Sequence, residues 1–128
     1  MYLNIYQNVL VCVTKQKTCE RLIKEASKRK DVNGNLRVLH VAKNTWNILD
    51  NDRQSEALEY LFKISKEYNA DMTMLRADNI SETIADFAIK NEIDLVVLGQ
   101  SSNEQYNKFY AELCSLLANK IKIEIISH

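Results

Sequence analysis

Short apolar runs alternate along this chain with longer stretches in which apolar residues recur at helical spacing. Residues 8–13 (NVLVCV) form a β-branched run too short for a helix and typical of a strand buried on both faces. Beyond it, Cys19, Leu22, Ile23 and Ala26 predict a helix over 18–30, with Thr18 as its N-cap. Asn33-Gly34 is a turn signal, Gly34 being suited to a left-handed backbone. Residues 36–41 (LRVLHV) read as a second strand. The stretch 42–50, which holds Trp46, has no consistent period and is expected to be a loop.

The alternation continues to the end. A helix over about 52–68 aligns Ala57, Leu58, Leu61, Phe62 and Ser65 on one face, and 71–75 (DMTML) is a weaker third strand. Asn79, with Glu82 three residues on, resembles a capping box opening a helix that buries Ile80, Ile84, Phe87 and Ala88. Residues 94–98 (DLVVL) are the most strand-like of all and end at Gly99. After the polar stretch QSSNEQ, a helix over about 106–119 aligns Phe109, Leu113, Leu116 and Leu117, and 121–126 (IKIEII) closes the chain as a fifth strand. There is no internal repeat, low-complexity tract or linker, so residues 1–128 are expected to form one domain.

Strands alternating with helices imply parallel pairing through right-handed crossovers, hence an open five-stranded α/β sheet of Rossmann-like type with helices on both faces. Ligands of such sheets bind beyond the carboxyl ends of the strands, where strand order reverses. If strand 1 is central, loops 14–18 and 99–105 frame the site. The first contains Lys15 and Lys17 and feeds a helix N-terminus, where amides and the helix dipole favour an anion.

Composition narrows the function more by exclusion. The 128 residues carry 17 basic and 17 acidic groups, which argues against a dedicated nucleic-acid binder or a polybasic membrane module. No apolar run approaches the ~20 residues of a membrane span, and the start lacks the pattern of a signal peptide, so the expected compartment is the cytoplasm. The balance hides an asymmetry: residues 1–30 carry a net charge of +5 and the remainder −5. Such a run is commonly a solvated helix face; an anion-facing loop is the alternative. Cys12, Cys19 and Cys114 are odd in number and lack CxxC spacing, suggesting neither a disulfide framework nor zinc. Cys12 reads as a core residue. Cys19, between Lys17 and Arg21 in a first helical turn, has features that favour a thiolate, although its place on the apolar stripe favours burial.

No catalytic set stands out, and an enzyme is not expected. The histidines are His40, inside a strand and expected to be a satisfied core or rim residue, and the terminal His128. Ser101 and Ser102 follow a strand without a G-x-S-x-G elbow, and there is no P-loop or GxGxxG. The aspartates are scattered at helix and strand starts; Asp78, near the strand-carboxyl rim, suits a turn.

With NVLVCVT at strand 1, LRVLHV at strand 2 and NISETIADFAIKNEIDLVVLG leading into Gly99, nearly the whole chain resembles the universal stress protein family. The segment CVTKQKTCERLIKEA resembles most the stress-protein-like domain inside Kdp-type potassium-sensing histidine kinases. The resemblance implies strand order 3-2-1-4-5 and a homodimer formed through the C-terminal strand. Ile121, Ile123, Ile125 and Ile126 would supply its apolar edge, with Lys120 and Lys122 as partial guards.

Family members that bind ATP carry an Asp at the end of strand 1, where this chain has Thr14. They also carry G-x-x-G followed nine residues later by G-S or G-T. Anchored on Gly99, those positions fall on Ser102, Glu112 and Leu113, so only Gly99 survives. Kdp-type domains that bind cyclic di-AMP use a Ser-x-Ser in the strand 1 loop and an aromatic-rich strand 2; this chain has Thr14-Lys15-Gln16 and Leu36-Arg37-Val38-Leu39-His40.

Two functions follow. One is a regulatory domain with weak binding of ATP, AMP or cyclic di-AMP at the strand 1/strand 4 switch point. Its contacts would be Val13, Thr14, Lys15, Lys17, Val41, Gly99, Ser101 and Ser102, with Ala42 lining the apolar slot. The other is a dimerisation or protein-interaction module that has lost the ATP site, with sensor-kinase domains as partners and Tyr106, Phe109 and Tyr110 as a conceivable contact face.

Overall fold

The apolar runs become strands and the amphipathic stretches helices in the computed structural model, which describes residues 6–101, 104–118 and 120–127. The elements are β1 (Tyr6–Cys12), α1 (Gln16–Ser27), β2 (Lys30–Ala42), a 3-10 turn (Ile48–Asp50), α2 (Gln54–Glu67), β3 (Asp71–Arg76), α3 (Ile80–Lys90), β4 (Leu95–Gly99), α4 (Glu104–Leu117) and β5 (Lys122–Ile126). The strands form one parallel sheet in the order β3-β2-β1-β4-β5. The expected order is the observed one.

Strand alternation divides the core in two. Val9, Val11 and Val13 face α1 and α2, together with Leu22, Ile23, Ala57 and Leu61. Leu10 and Cys12 face α3 and α4, together with Ile84, Ala88, Leu113 and Leu117. The central strands are buried on both sides, which is why they read as unbroken apolar runs. Each fully buried Leu or Val contributes about 1.5–3 kcal/mol relative to exposure.

Several local expectations differ. Thr18 lies inside α1, whose N-cap is Lys15 with no side-chain cap bond. Asn33-Gly34 is not a turn but part of the long β2, and neither glycine has positive φ. Gly34 is needed for proximity instead: a Cβ there would sit 2.6 Å from the Gln7 carbonyl oxygen. The crowding falls where register shifts, Tyr6 pairing with Lys30 but Asn8 with Asn35. Phe62 is 56% exposed, being about 100° further round α2 than Leu61, and Ile64 takes the buried place. Leu116 is 45% exposed at the border of its stripe.

Other expectations hold at the atomic level. Asn79 caps α3, its side-chain oxygen accepting from the Glu82 amide at 3.0 Å. Asp94 accepts from the amides of Gln7 (3.0 Å) and Asn8 (2.9 Å), fixing the start of β1 against β4. The aromatic trio offered as a contact face is instead partly buried: Phe109 and Tyr110 pack against the α3/α4 core, and Tyr106 is half-buried, its ring centroid 5.9 Å from that of Phe109.

Candidate functional site

Strand order reverses on either side of β1, so the chemistry of interest lies beyond its carboxyl end. There a cavity of about 650 Å³ opens between two walls. Lys15, Gln16 and Lys17, at the start of α1, form one wall; Asn47 and residues 49–52 form the other. Asn51 spans the walls, donating from Nδ2 to Gln16 Oε1 at 2.9 Å. Two lysines thus oppose Asp50 and Asp52, and α1 has no acidic residue in its first turn to offset its dipole. A depression of similar size on the outer face of α2, around Tyr60 and Phe62, belongs to a single helix and lies away from the strand ends.

His40 holds this region together. Its side chain is 2% exposed on the α1/α2 face of β2, where Nδ1 lies 2.8 Å from the Val13 carbonyl oxygen. The Leu49 amide donates to Nε2 at 3.0 Å. An amide donor needs a lone pair, so Nε2 is bare and Nδ1 carries the proton given to Val13. Burial holds its pKa below the usual histidine value; the Val13 carbonyl opposes that shift and the Arg76 charge adds to it. One neutral imidazole therefore joins the end of β1 to the far wall of the cavity, the satisfied role expected of it.

The first half of the same loop is held from β3. Arg76 Nη1 donates to the carbonyls of Lys43 (2.8 Å), Asn44 (3.3 Å) and Trp46 (3.0 Å), and Lys43 lies over the Trp46 ring. Ile48 and Leu49 insert into the core, and Leu49 and Asp50 both take left-handed backbone, φ 53° and 59°. Residues 47 and 49–52 escaped sequence reasoning because the stretch has no period. The adjacent apolar pair Ile48-Leu49 within a polar run was the available signal.

The structure brings some of the sequence-derived residues together and separates others. Lys15 and Lys17 share the cavity, and exposed Thr14 stands at its edge in the chain. Val13 is buried, with its carbonyl committed to His40. Val41 is buried on the opposite, α3/α4 face, whereas Ala42 belongs to the α1/α2 core. Gly99 lies beneath Leu22, whose Cδ1 would be 3.1 Å from a Cβ there. Neither Gly99 nor half-buried Ser101 lines the cavity, and Ser102 lies outside the described residues, as does His128. Cys19 is fully buried and its thiol pushed up to about 12, chiefly by burial, so the thiolate reading fails; Cys12 behaves alike.

Glu112 and Leu113 are helical. Both fall within α4, which starts at Glu104 rather than the expected Tyr106. Leu113 is wholly buried, and Glu112 Oε2 accepts from Ser81 Oγ at 2.5 Å, tying α4 to the first turn of α3.

The family profile described as the universal stress protein family matches residues 5–110. The chain belongs to the universal stress protein family. Solved structures share its fold. A universal stress protein in complex with cAMP aligns over 95% of this chain and 97% of its own, with TM-score 0.62 and 16% identity. One from Archaeoglobus fulgidus in complex with dAMP aligns over 96% and 98%, with TM-score 0.58 and 19% identity. Another, from Archaeoglobus fulgidus DSM 4304, has TM-score 0.65 and 12% identity over 95% of this chain and 44% of that one. No curated relative matches the chain by sequence. Among the described residues, no helix is long and apolar enough to cross a membrane.

Proposed function

We propose that this universal stress protein family member is a non-catalytic regulatory domain of the cytoplasm that binds an adenine nucleotide at the carboxyl end of β1. The observation that carries the reading is the cavity between α1 and the 48–50 turn, with Lys15 and Lys17 beside a helix N-terminus. Two structural neighbours hold cAMP and dAMP, ligands with a single phosphate. AMP or cyclic di-AMP suits this chain better than ATP. The positions that a triphosphate-cradling glycine and hydroxyl would take are Glu112 and buried Leu113, inside α4. Lys15 and Lys17 would meet the phosphate, Asp50 or Asp52 a sugar hydroxyl, and Thr14 would stand at the rim. Only a ligand extending past the cavity toward the end of β4 would meet Gly99 and Ser101. Val13 and Val41 would support this site from the core rather than touch the ligand.

Calorimetric titration of nucleotide-stripped protein with AMP, ATP and cyclic di-AMP tests this. The expected result is binding of AMP or cyclic di-AMP in roughly the micromolar range, lost in Lys15→Glu/Lys17→Glu. Unchanged affinity in that variant removes the site from α1.

The second reading, a dimerisation or protein-interaction module, draws on the same helical Glu112 and Leu113. In it β5, an edge strand, pairs with a second copy, or the domain docks onto sensor-kinase domains as its Cys12–Ala26 resemblance suggests. A folded dimer that takes none of the three nucleotides would favour it.

A further inference from the structure

The loop that forms the outer wall of the cavity is pinned at two places by unlike means. Arg76 holds residues 43–46 through three carbonyls, a contact that does not change across ordinary pH. In residues 48–50 the backbone hydrogen bond that reaches another element is the Leu49 amide donating to His40 Nε2; the Asp50 amide closes on Asn47 within the loop, and Ile48 and Leu49 pack into the core. Those residues are also the ones in unfavourable backbone: Leu49 and Asp50 are consecutive, left-handed and not glycine. A left-handed backbone whose hydrogen bond to the neighbouring strand is withdrawn loses that restraint, leaving the segment to its core-packed side chains and its own loop bonds.

Histidine is the side chain that can withdraw it. We propose that His40 is a proton-operated latch: neutral, its Nε2 accepts the Leu49 amide and keeps the cavity wall closed; protonated, Nε2 carries a hydrogen facing another donor, and residues 48–50 are released. Protonation leaves Nδ1–H on the Val13 carbonyl, so β1 keeps its anchor while the wall lets go.

The surroundings set the direction. From β3 the Arg76 guanidinium opposes a second positive charge, and the loop itself contributes Lys43, stacked on Trp46, and the Asp50 carboxylate next to Leu49. α1 contributes the buried Cys19 thiol, α2 the phenol of Tyr60 and its C-cap that of Tyr68, all packed into the same core as Leu49. The thiol and the Tyr60 phenol are neutral through the acid range, their pKa values raised chiefly by burial. Protonating His40 therefore puts a charge into an apolar layer already facing the Arg76 cation, and movement of the wall admits water to it.

For what an open wall does to binding, the latch rests on the cavity being the nucleotide site; the latch itself does not. Its test accordingly uses ligand-free protein, so absence of nucleotide binding would sink the proposed function and leave this result standing. Backbone amide exchange is followed by NMR from about pH 7.5 to about pH 5, corrected for intrinsic rates, alongside the ring nitrogen shifts of His40. The expectation is that protection at Leu49 falls by up to about tenfold per pH unit as pH drops below about 6.5 toward the lowered pKa of the folded ring. The Trp46 amide, which donates to Lys43 within the Arg76-held half, and the Val11 amide in the sheet should keep their protection. His40→Gln, which retains an acceptor but cannot titrate, should make Leu49 protection independent of pH; His40→Leu should remove it throughout. If either variant fails to fold, the wild-type comparison of ring and amide still decides. Protection of Leu49 that persists after the ring has titrated overturns the latch. So does loss of Leu49 and Val11 protection together, or a ring that stays neutral until the protein unfolds.

Discussion

Arg29 closes both arms of its guanidinium on Glu124, Nε to Oε1 at 2.8 Å and Nη2 to Oε2 at 2.9 Å. The arginine lies just past α1, with its side chain 4% exposed, and the glutamate is on β5, at the edge of the sheet. An inward-pointing charge is one way an edge strand is kept from pairing indiscriminately. Here the pair also fastens α1 to that edge, seconded by Arg21, which donates to the Ser127 carbonyl. Part of the basic bias of the first 30 residues is thus structural, while Lys15 and Lys17 line the cavity.

Glu124→Ala should therefore destabilise the fold. Removing one partner of a fully buried pair costs about 3–5 kcal/mol. The glutamate retains 31% exposure and Arg29 keeps Glu25, whose carbonyl accepts at 2.6 Å, so the expected loss is smaller, about 2 kcal/mol. Urea denaturation with an unchanged slope measures it; a midpoint equal to wild type would mean the pair is energetically idle.

Restoring a glycine at the position of Glu112 should harm rather than help. Glu112→Gly loses about 1 kcal/mol of helix propensity and leaves Ser81 with Asn79 Oδ1 as its acceptor in place of the carboxylate, a further loss below ~1 kcal/mol. Affinity for ATP should not rise, because the residue lies mid-helix and not in a phosphate-binding loop. Thermal unfolding and calorimetry on the same variant check both halves, and a gain in ATP affinity would contradict the second.

The two glycines should differ under substitution by alanine. At Gly34 the new Cβ meets backbone, the Gln7 oxygen at 2.6 Å and the Tyr6 oxygen at 3.1 Å, and an overpacking cost of about 1–3 kcal/mol is expected. At Gly99 the neighbour is the flexible end of Leu22, and the cost should stay below about 1 kcal/mol. Equal denaturation midpoints for the two variants would contradict the register-shift account of Gly34.

Stability should fall on the acid side because of His40. Its folded pKa is lowered by burial, so below about 6.5 the unfolded state takes up its proton first and gains free energy relative to the fold. Between that value and the lower folded pKa, this group reduces stability by up to ~1.4 kcal/mol per pH unit; above it, the contribution is complete and flat. Comparing stability–pH curves of wild type and His40→Gln isolates the slope, which the variant should lack.

The strands were legible because parallel strands buried on two faces leave unbroken β-branched runs, and Asn79 because capping is a local event. Strand order came with the family resemblance, since periodicity carries no information about which strands are neighbours. Gly34 misled because its reason is the Gln7 carbonyl, distant in sequence, and not its own φ. The far wall of the cavity stayed hidden for the same cause. His40 and Arg76 organise residues 43–50 from two other strands, so that stretch has a defined shape without a pattern of its own. Lys15 and Lys17 could be found from the sequence; their facing Asp50 and Asp52 could not.

The most direct test of the site is amide chemical-shift mapping while AMP is added to isotopically labelled protein. Binding at the carboxyl end of β1 predicts the largest changes at Gln16, Lys17 and residues 49–52, all of them diminished in Lys15→Glu/Lys17→Glu. Saturable changes centred elsewhere, or none on a folded protein with either AMP or cyclic di-AMP, would contradict it.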